Sequence, residues 1–179
     1  FLLIGNPRLP RKRRRKQQRI NDYIADAGAN LEFGTLRPDA PEWFTSMVTM
    51  NRNLGAMPLA GDNAAHLISD YQKSLDAMAE AIRSAQKYVH VEFYILSSDT
   101  ATDNFFRALE EVRAKGVTVR VLMDHWANRG KPGYKQTQRR LTAMGAEWHL
   151  MLPVQPLKGK YQRPDLRNHR KLLVVDNHV

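Results

Sequence analysis

The chain has 179 residues, of which 42% are hydrophobic and 26% charged, with a net charge of +10 and no cysteine. This length allows one domain with a substantial core, and the composition is that of a globular fold rather than a disordered or fibrous one. Having no cysteine excludes disulfides, cysteine-ligated zinc and thiol nucleophiles, and fits a reducing compartment.

The charge is uneven. Arg8, Arg11, Lys12, Arg13, Arg14, Arg15, Lys16 and Arg19 fall in the first 20 residues, which hold no acid. Most of the net charge therefore belongs to an amino-terminal segment, 1–20, rather than to the domain that follows. The opening Phe1-Leu2-Leu3-Ile4 is apolar but far short of the roughly 20 residues that cross a bilayer. It reads as the end of a membrane span. A basic cluster beside a span marks the cytoplasmic side and attracts anionic lipid, by about 1 kcal/mol per residue near the surface. A solvated tail or a nucleic-acid arm is the other reading of the same run. Beginning at Phe1 and ending at Val179, just past a strand pattern, the sequence reads as a piece cut at both ends.

Residues 21–62 have weak periodicity and are punctuated by Pro38, Pro41 and Pro58, so they read as a connector. Within them Trp43, Phe44 and Met47 suggest one short helix face. From residue 63 the pattern becomes regular. Leu67, Tyr71, Leu75, Met78 and Ile82 recur at helical spacing and predict an amphipathic helix over 64–86. Residues 88–96 alternate, with Val89, Val91, Phe93 and Ile95 on one face and Tyr88, His90, Glu92 and Tyr94 on the other. A helix is predicted over 103–115, with Phe105, Phe106, Leu109 and Val112 inward and Gly116 as its stop. Then follow a strand at 117–124, a short helix near 134–144 stopped at Gly145, and a strand at 146–152. A Pro/Gly/Lys-rich loop at 153–168 leads into a last strand at 169–176. Strands alternating with helices predict an α/β domain over 63–179 with a substantially parallel sheet. Such sheets bind ligands beyond the carboxyl ends of their strands.

The last strand carries the chemistry. His169 and Lys171 stand two apart, so a strand puts them on one face and Arg170 on the other, with Leu172-Leu173-Val174-Val175 as an apolar anchor and Asp176 near the far end. An imidazole can attack phosphorus and form a phosphohistidine. An ammonium beside it can hold phosphate oxygens and stabilise transition-state charge without a metal. A second imidazole must then protonate the leaving alkoxide and activate the acceptor. Chance alone gives about 0.02 matches to His-x-Lys-x4-Asp in a chain of this composition. The competing reading is a structural histidine on an edge strand flanked by solvated cations.

The stretch Arg167-Asn168-His169-Arg170-Lys171-Leu172-Leu173-Val174-Val175-Asp176 resembles the first HKD motif of bacterial cardiolipin synthases, a branch of the phospholipase D superfamily. The resemblance extends through Gly61-Asp62, the 64–86 segment, Val91-Glu92-Phe93-Tyr94-Ile95 and residues 113–124. It also takes in the opening nine residues with their basic run, which are similar to the cytoplasmic exit of that family's second transmembrane helix. The HKD motif is specific to the superfamily, while the flanks that point to cardiolipin synthesis are less so.

The resemblance implies a phospholipase D-like αβα layered lobe with a largely parallel or mixed sheet. It implies an enzyme of two lobes, each supplying one HKD motif to a shared site, that joins two phosphatidylglycerol molecules and releases glycerol through a phosphohistidine. On this carry-over His169 is the nucleophile or its acid/base partner, Lys171 binds phosphate, and Asp176 is a structural or polar-network member. All three are grouped as candidate catalytic positions. The expected partners are an anionic phospholipid membrane, phosphatidylglycerol and a second HKD lobe of the same chain, with a homodimer as a further arrangement. No cofactor, metal or nucleic acid is expected, and the place is the cytoplasmic side of a bacterial membrane. These residues alone lack the second imidazole, so they are expected to be inactive by themselves unless two copies pair to mimic the full site. Another phospholipase D-type lipid hydrolase or nuclease, or a non-catalytic membrane-binding domain, remains the alternative.

Four further positions are candidate substrate contacts. Glu92 and Tyr94 share a strand face, Asp124 ends a strand beside His125 and Trp126, and Arg167 closes the basic loop of Lys158, Lys160 and Arg163. For Glu92 and Asp124 the plain alternatives are an edge-exposed acid and a loop cap. For the loop the alternative is a solvated surface. His66, His90, His149 and His178 show no metal-ligand spacing and read as structural.

Overall fold

The computed structural model describes residues 11–29, 39–54, 64–155 and 167–178. The opening apolar residues, Gly61-Asp62, and Lys158, Lys160 and Arg163 of the basic loop lie outside the described residues. The chain divides into two units, residues 1–67 and 68–179. The first contains α1 (Arg11–Ala29) and α2 (Glu42–Leu54). Helix α1 crosses from the basic tail into the expected connector, and α2 includes the predicted Trp43, Phe44, Met47 face. Among the described residues, no helix is long and apolar enough to cross a membrane.

The second unit begins with α3 (Tyr71–Arg83). Its start corrects the predicted 64–86 helix. The Asp70 carboxylate caps the helix by accepting the Lys73 N–H at 2.7 Å, with Asp70 itself in an extended conformation. An N-cap of this kind satisfies one of the orphan amides of the first turn and sets the boundary. Leu67 is thereby left outside the helix and 89% exposed, while Leu75, Ala79 and Ile82 form the buried face.

Strand β1 (Tyr88–Phe93) follows, then α4 (Asp103–Ala114), whose Phe105, Phe106, Ala108, Leu109 and Val112 are all buried. At the end of α4 Gly116 takes φ +90°, a left-handed conformation open to glycine at no steric cost. Strand β2 (Thr118–Asp124) runs into a single turn, α5 (His125–Asn128), that the sequence pattern did not signal. Helix α6 (Tyr134–Ala143) and strand β3 (Glu147–Met151) complete the alternation, and β4 (Leu172–Val175) closes it.

The sheet order is β3-β2-β1-β4. Strands β1, β2 and β3 are parallel, and β4 pairs antiparallel to β1 with Glu92 opposite Leu172 and Val89 opposite Val175. The fold is thus a layered α/β one with a mixed sheet. One face of the sheet (Val89, Val91, Val119, Val121, Met123, Val175) packs with the buried faces of α3 and α4 in a single apolar cluster. Full burial of such side chains stabilises by about 1.5–3 kcal/mol each. The helices are also pinned by charge. Arg140 of α6 reaches Asp103 at 2.7 Å and Glu110 at 2.6 Å on α4, while Arg83 of α3 reaches Glu111 at 2.8 Å. The other sheet face bears His90, Glu92, Arg120, Leu122, Glu147, His149, Leu172 and Val174 around a hollow of about 410 Å³.

Two strand ends differ from the predicted ones by three residues, the others by at most one. Strand β1 stops at Phe93 because the chain beyond it bonds to a side chain instead of a neighbouring strand: Asn128 donates to the Tyr94 carbonyl at 2.9 Å and accepts the Leu96 N–H at 3.0 Å. Ile95, which alternation puts on the face of Val89 and Val91, is consequently 42% exposed. Strand β4 starts at Leu172, so His169 and Lys171 lie in the segment leading into it.

Candidate active site

The antiparallel direction of β4 decides where the motif stands. Its amino end meets the carboxyl end of β1, so residues 167–171 reach the rim where β1 and β2 deliver Tyr94 and Asp124. This is the rim at which parallel sheets hold ligands.

Three contacts fix that segment. The His169 ring stacks on Tyr94, with centroids 4.0 Å apart and planes 18° from parallel. The Asn168 amide donates to Glu92 Oε1 while its own oxygen accepts the Arg170 N–H at 3.1 Å. The Arg167 guanidinium faces Asp124 Oδ2 at 3.4 Å and donates to the Leu152 carbonyl. The last pair is deeply buried, with side chains 3% and 0% exposed. His169 and Lys171 themselves are exposed. The arrangement therefore clamps the residues around the imidazole while leaving the imidazole and the ammonium accessible to a phosphate ester.

Of the predicted positions, the structure brings together His169, Tyr94, Glu92, Arg167 and Asp124 at one rim. Glu92 is engaged with Asn168 and Arg167 with Asp124, contacts that tie the segment carrying His169 to β1 and β2. Asp124 also caps α5, accepting the Ala127 N–H at 2.8 Å, so both the capping reading and the rim placement describe it.

Asp176 lies elsewhere. It follows β4 at the opposite end from Leu172, across four strand residues or about 13 Å. With φ +46° in the turn after the strand, it accepts three backbone N–H groups, from Gln86 at 2.6 Å, Lys87 at 3.0 Å and Tyr88 at 2.8 Å. Those bonds, from Tyr88 and Gln86 above all, hold its carboxyl below the usual aspartate value. Asp176 thus fastens the end of the motif strand to the chain entering β1 and stands away from His169.

Sequence reasoning missed three groups. Asn168 stands in the sequence only as a flank of the motif, although a side chain beside the nucleophile candidate is well placed to hold it. Asn128, 1% exposed, ties the loops after β1 and β2 by bonding the Asp124 carbonyl at 2.7 Å as well as Tyr94 and Leu96. Its spacing of four from Asp124 is the available signal, since that is one helical turn. His125 is 8% exposed, and its Nδ1 accepts the Val154 N–H at 3.1 Å. Burial, and secondarily the charge of Arg129, push its pKa down.

An imidazole and an ammonium at the ligand rim of an α/β sheet suit transfer chemistry at a phosphate ester. Residues 78–179 match the family described as "Cardiolipin synthase, PLD-like domain". The chain belongs to this family. It is 29% identical over 136 residues to a cardiolipin synthase of Clostridium perfringens, strain 13, covering 76% of this chain and 28% of that protein. Against a cardiolipin synthase of Staphylococcus aureus, strain Mu50, it is 29% identical over 138 residues, covering 76% of this chain and 27% of the relative. The match thus spans little more than a quarter of the length of these relatives. Among solved structures, the chain is similar to the phospholipase D family member Nuc of Salmonella typhimurium, with TM-score 0.42, 19% identity and 57% of each chain covered. It is also similar to NucT of Helicobacter pylori, with TM-score 0.45, 16% identity, and 62% and 65% of the two chains covered.

Proposed function

We propose that this chain forms half of the active site of a cardiolipin synthase. In this reading His169 attacks the phosphorus of one phosphatidylglycerol. The bond from phosphorus to the glycerol headgroup breaks and a phosphatidyl-histidine forms. The departing glycerol oxygen takes a proton from a second imidazole, which then removes the proton from the hydroxyl of another phosphatidylglycerol as that oxygen displaces His169. One glycerol is released and the two lipids are joined. Lys171 holds the phosphate oxygens and balances the charge gathered in the transition state.

The observation that supports this most directly is the mounting of His169, stacked on Tyr94 and flanked by the Asn168–Glu92 and Arg167–Asp124 contacts, yet exposed. A structural histidine has no need of such a clamp around an open ring. The second imidazole belongs to a further HKD lobe, and these residues alone are inactive. Substrate and partner lie in an anionic membrane, on the cytoplasmic side of a bacterial cell, to which the cations of α1 are drawn.

The test is mass spectrometry of lipid products from the parent enzyme given phosphatidylglycerol. His169→Ala lowers cardiolipin formation by about 10³-fold or more. Undiminished cardiolipin formation by that variant overturns the catalytic role of His169. Phosphatidic acid as the only product turns the reading to a hydrolase.

A further inference from the structure

Helix α2 has no part in the rim chemistry, and none of its residues is buried. Its sequence Glu-Trp-Phe-Thr-Ser-Met-Val-Thr-Met-Asn-Arg-Asn-Leu nevertheless carries one continuous apolar stripe. Trp43, Met47, Met50 and Leu54 fall at i, i+4, i+7 and i+11, one continuous stripe of a helix with 3.6 residues per turn. They are 63%, 45%, 51% and 80% exposed. Thr45, Thr49, Arg52 and Glu42 occupy the opposite side together with the half-buried Val48, and Phe44 lies between the two. A row of four large apolar side chains left in water is costly and calls for a cover.

We infer that α2 lies in the headgroup region of a lipid bilayer, parallel to its plane, with the Trp43–Met47–Met50–Leu54 stripe sunk among the acyl chains. This rests on the proposed membrane partnership and extends it to a particular element. Three features favour lipid over a protein groove. First, α2 follows α1, whose Arg11, Lys12, Arg13, Arg14, Arg15, Lys16 and Arg19 make a cationic run suited to acidic headgroups. Stable attachment to a membrane surface takes two signals, one electrostatic and one apolar, and the two helices supply one each. Second, the polar side of α2 is short and nearly uncharged, with Glu42 offset by Arg52, so nothing on it specifies a charged protein partner. Third, the stripe is built for a fluid environment. Methionine is flexible enough to fit acyl chains of no fixed shape, and tryptophan favours the boundary between headgroup and hydrocarbon. With 13 residues, or about 20 Å, the helix is too short to cross the bilayer and long enough to lie in it.

The experiment uses the full 179-residue chain and vesicles of phosphatidylcholine mixed with phosphatidylglycerol. Binding is followed by co-sedimentation at low and high salt, and insertion by the quenching of tryptophan fluorescence by brominated lipid. Quenching in the original chain is expected to fall in Trp43→Phe. The double substitution Met47→Asp with Met50→Asp should lower the salt-resistant binding about tenfold or more. The same two charges placed on the far side, Thr45→Asp with Thr49→Asp, should leave that binding nearly unchanged, which separates insertion from simple repulsion by acidic lipid. Arg13→Glu with Lys16→Glu should remove the salt-sensitive part instead. If the original chain binds no vesicles, both the inference and the membrane partnership fall. If it binds, but neither the Met47 and Met50 substitutions nor Trp43→Phe changes the signals, the inference alone falls. Dimerisation in solution that is lost in the Met47 and Met50 variant, with vesicle binding intact, assigns the stripe to a second copy and overturns it.

Discussion

Removing the guanidinium of Arg167 should destabilise the domain more than removing both it and its partner. Asp124 is fully buried and Arg167 nearly so. In Arg167→Met the Asp124 carboxylate keeps the Ala127 N–H at 2.8 Å but loses its counter-charge, and the Leu152 carbonyl loses a donor. Breaking one side of a buried pair costs about 3–5 kcal/mol. The 3.4 Å separation and the retained amide place this case near the low end, about 3 kcal/mol, or a fall in melting temperature of about 12 °C. Replacing both residues with apolar side chains, Arg167→Met with Asp124→Leu, removes the stranded charge. It should cost only about 1–2 kcal/mol, mainly the lost cap of α5. Urea unfolding followed by circular dichroism, compared at constant slope, measures both. A cost below about 0.5 kcal/mol for Arg167→Met, as for an exposed pair, would contradict a buried charge pair, as would a double variant that costs the sum of the two single ones.

Three other outcomes can be checked. Tyr94→Leu should lower kcat of the parent enzyme about two- to tenfold, the worth of one ring stack, while Tyr94→Phe retains it; equal loss in both would show that the hydroxyl rather than the ring matters. His125 has a depressed pKa, so its contribution to stability is fully present above the ordinary imidazole value of 6.5 and is lost as pH falls through the depressed one. His125→Asn should flatten stability against pH in that window, and an unchanged slope would remove His125 as its source. Asp176 also titrates below its ordinary value, so its contribution is present above pH 3.8 and is lost as pH falls through the folded value. Asp176→Asn should lower the urea midpoint at neutral pH and make the acid limb shallower, whereas an unchanged midpoint would deny that the carboxylate fastens the strand.

Much of the second unit was legible because its apolar residues carry a clean period. The buried Phe105, Phe106, Leu109 and Val112 of α4 and the alternating Val119, Val121 and Met123 of β2 stand where their spacing puts them. Periodicity misleads where a local polar bond outranks it. Leu67 is in phase with Leu75 and Ile82, but the Asp70 cap starts the helix after it. Ile95 is in phase with Val91, but Asn128 takes the backbone groups that would have continued the strand. Helix α1 has a run of like charges and no apolar period, so nothing in its pattern distinguished helix from tail. At the rim, His169, Tyr94 and Arg167 were recognisable by chemical type, but their mutual contacts depend on β4 running antiparallel. That direction is set by pairing across 80 or more residues of chain, which no short window of sequence reveals.

The side chain of Asn128 couples the motions of the rim. One amide holds the loop after β1 through Tyr94 and Leu96 and the turn after β2 through Asp124, with Leu96, Asp124 and Asn128 buried and Tyr94 half-buried. Neither loop can swing outward without stranding the polar groups of the other. The two should therefore open as one cooperative unit, so that in hydrogen exchange the Leu96 and Ala127 amides share a single opening free energy. A substrate that displaces the chain at Tyr94 would then be felt at Asp124, and through Arg167 at the backbone carrying the nucleophile candidate.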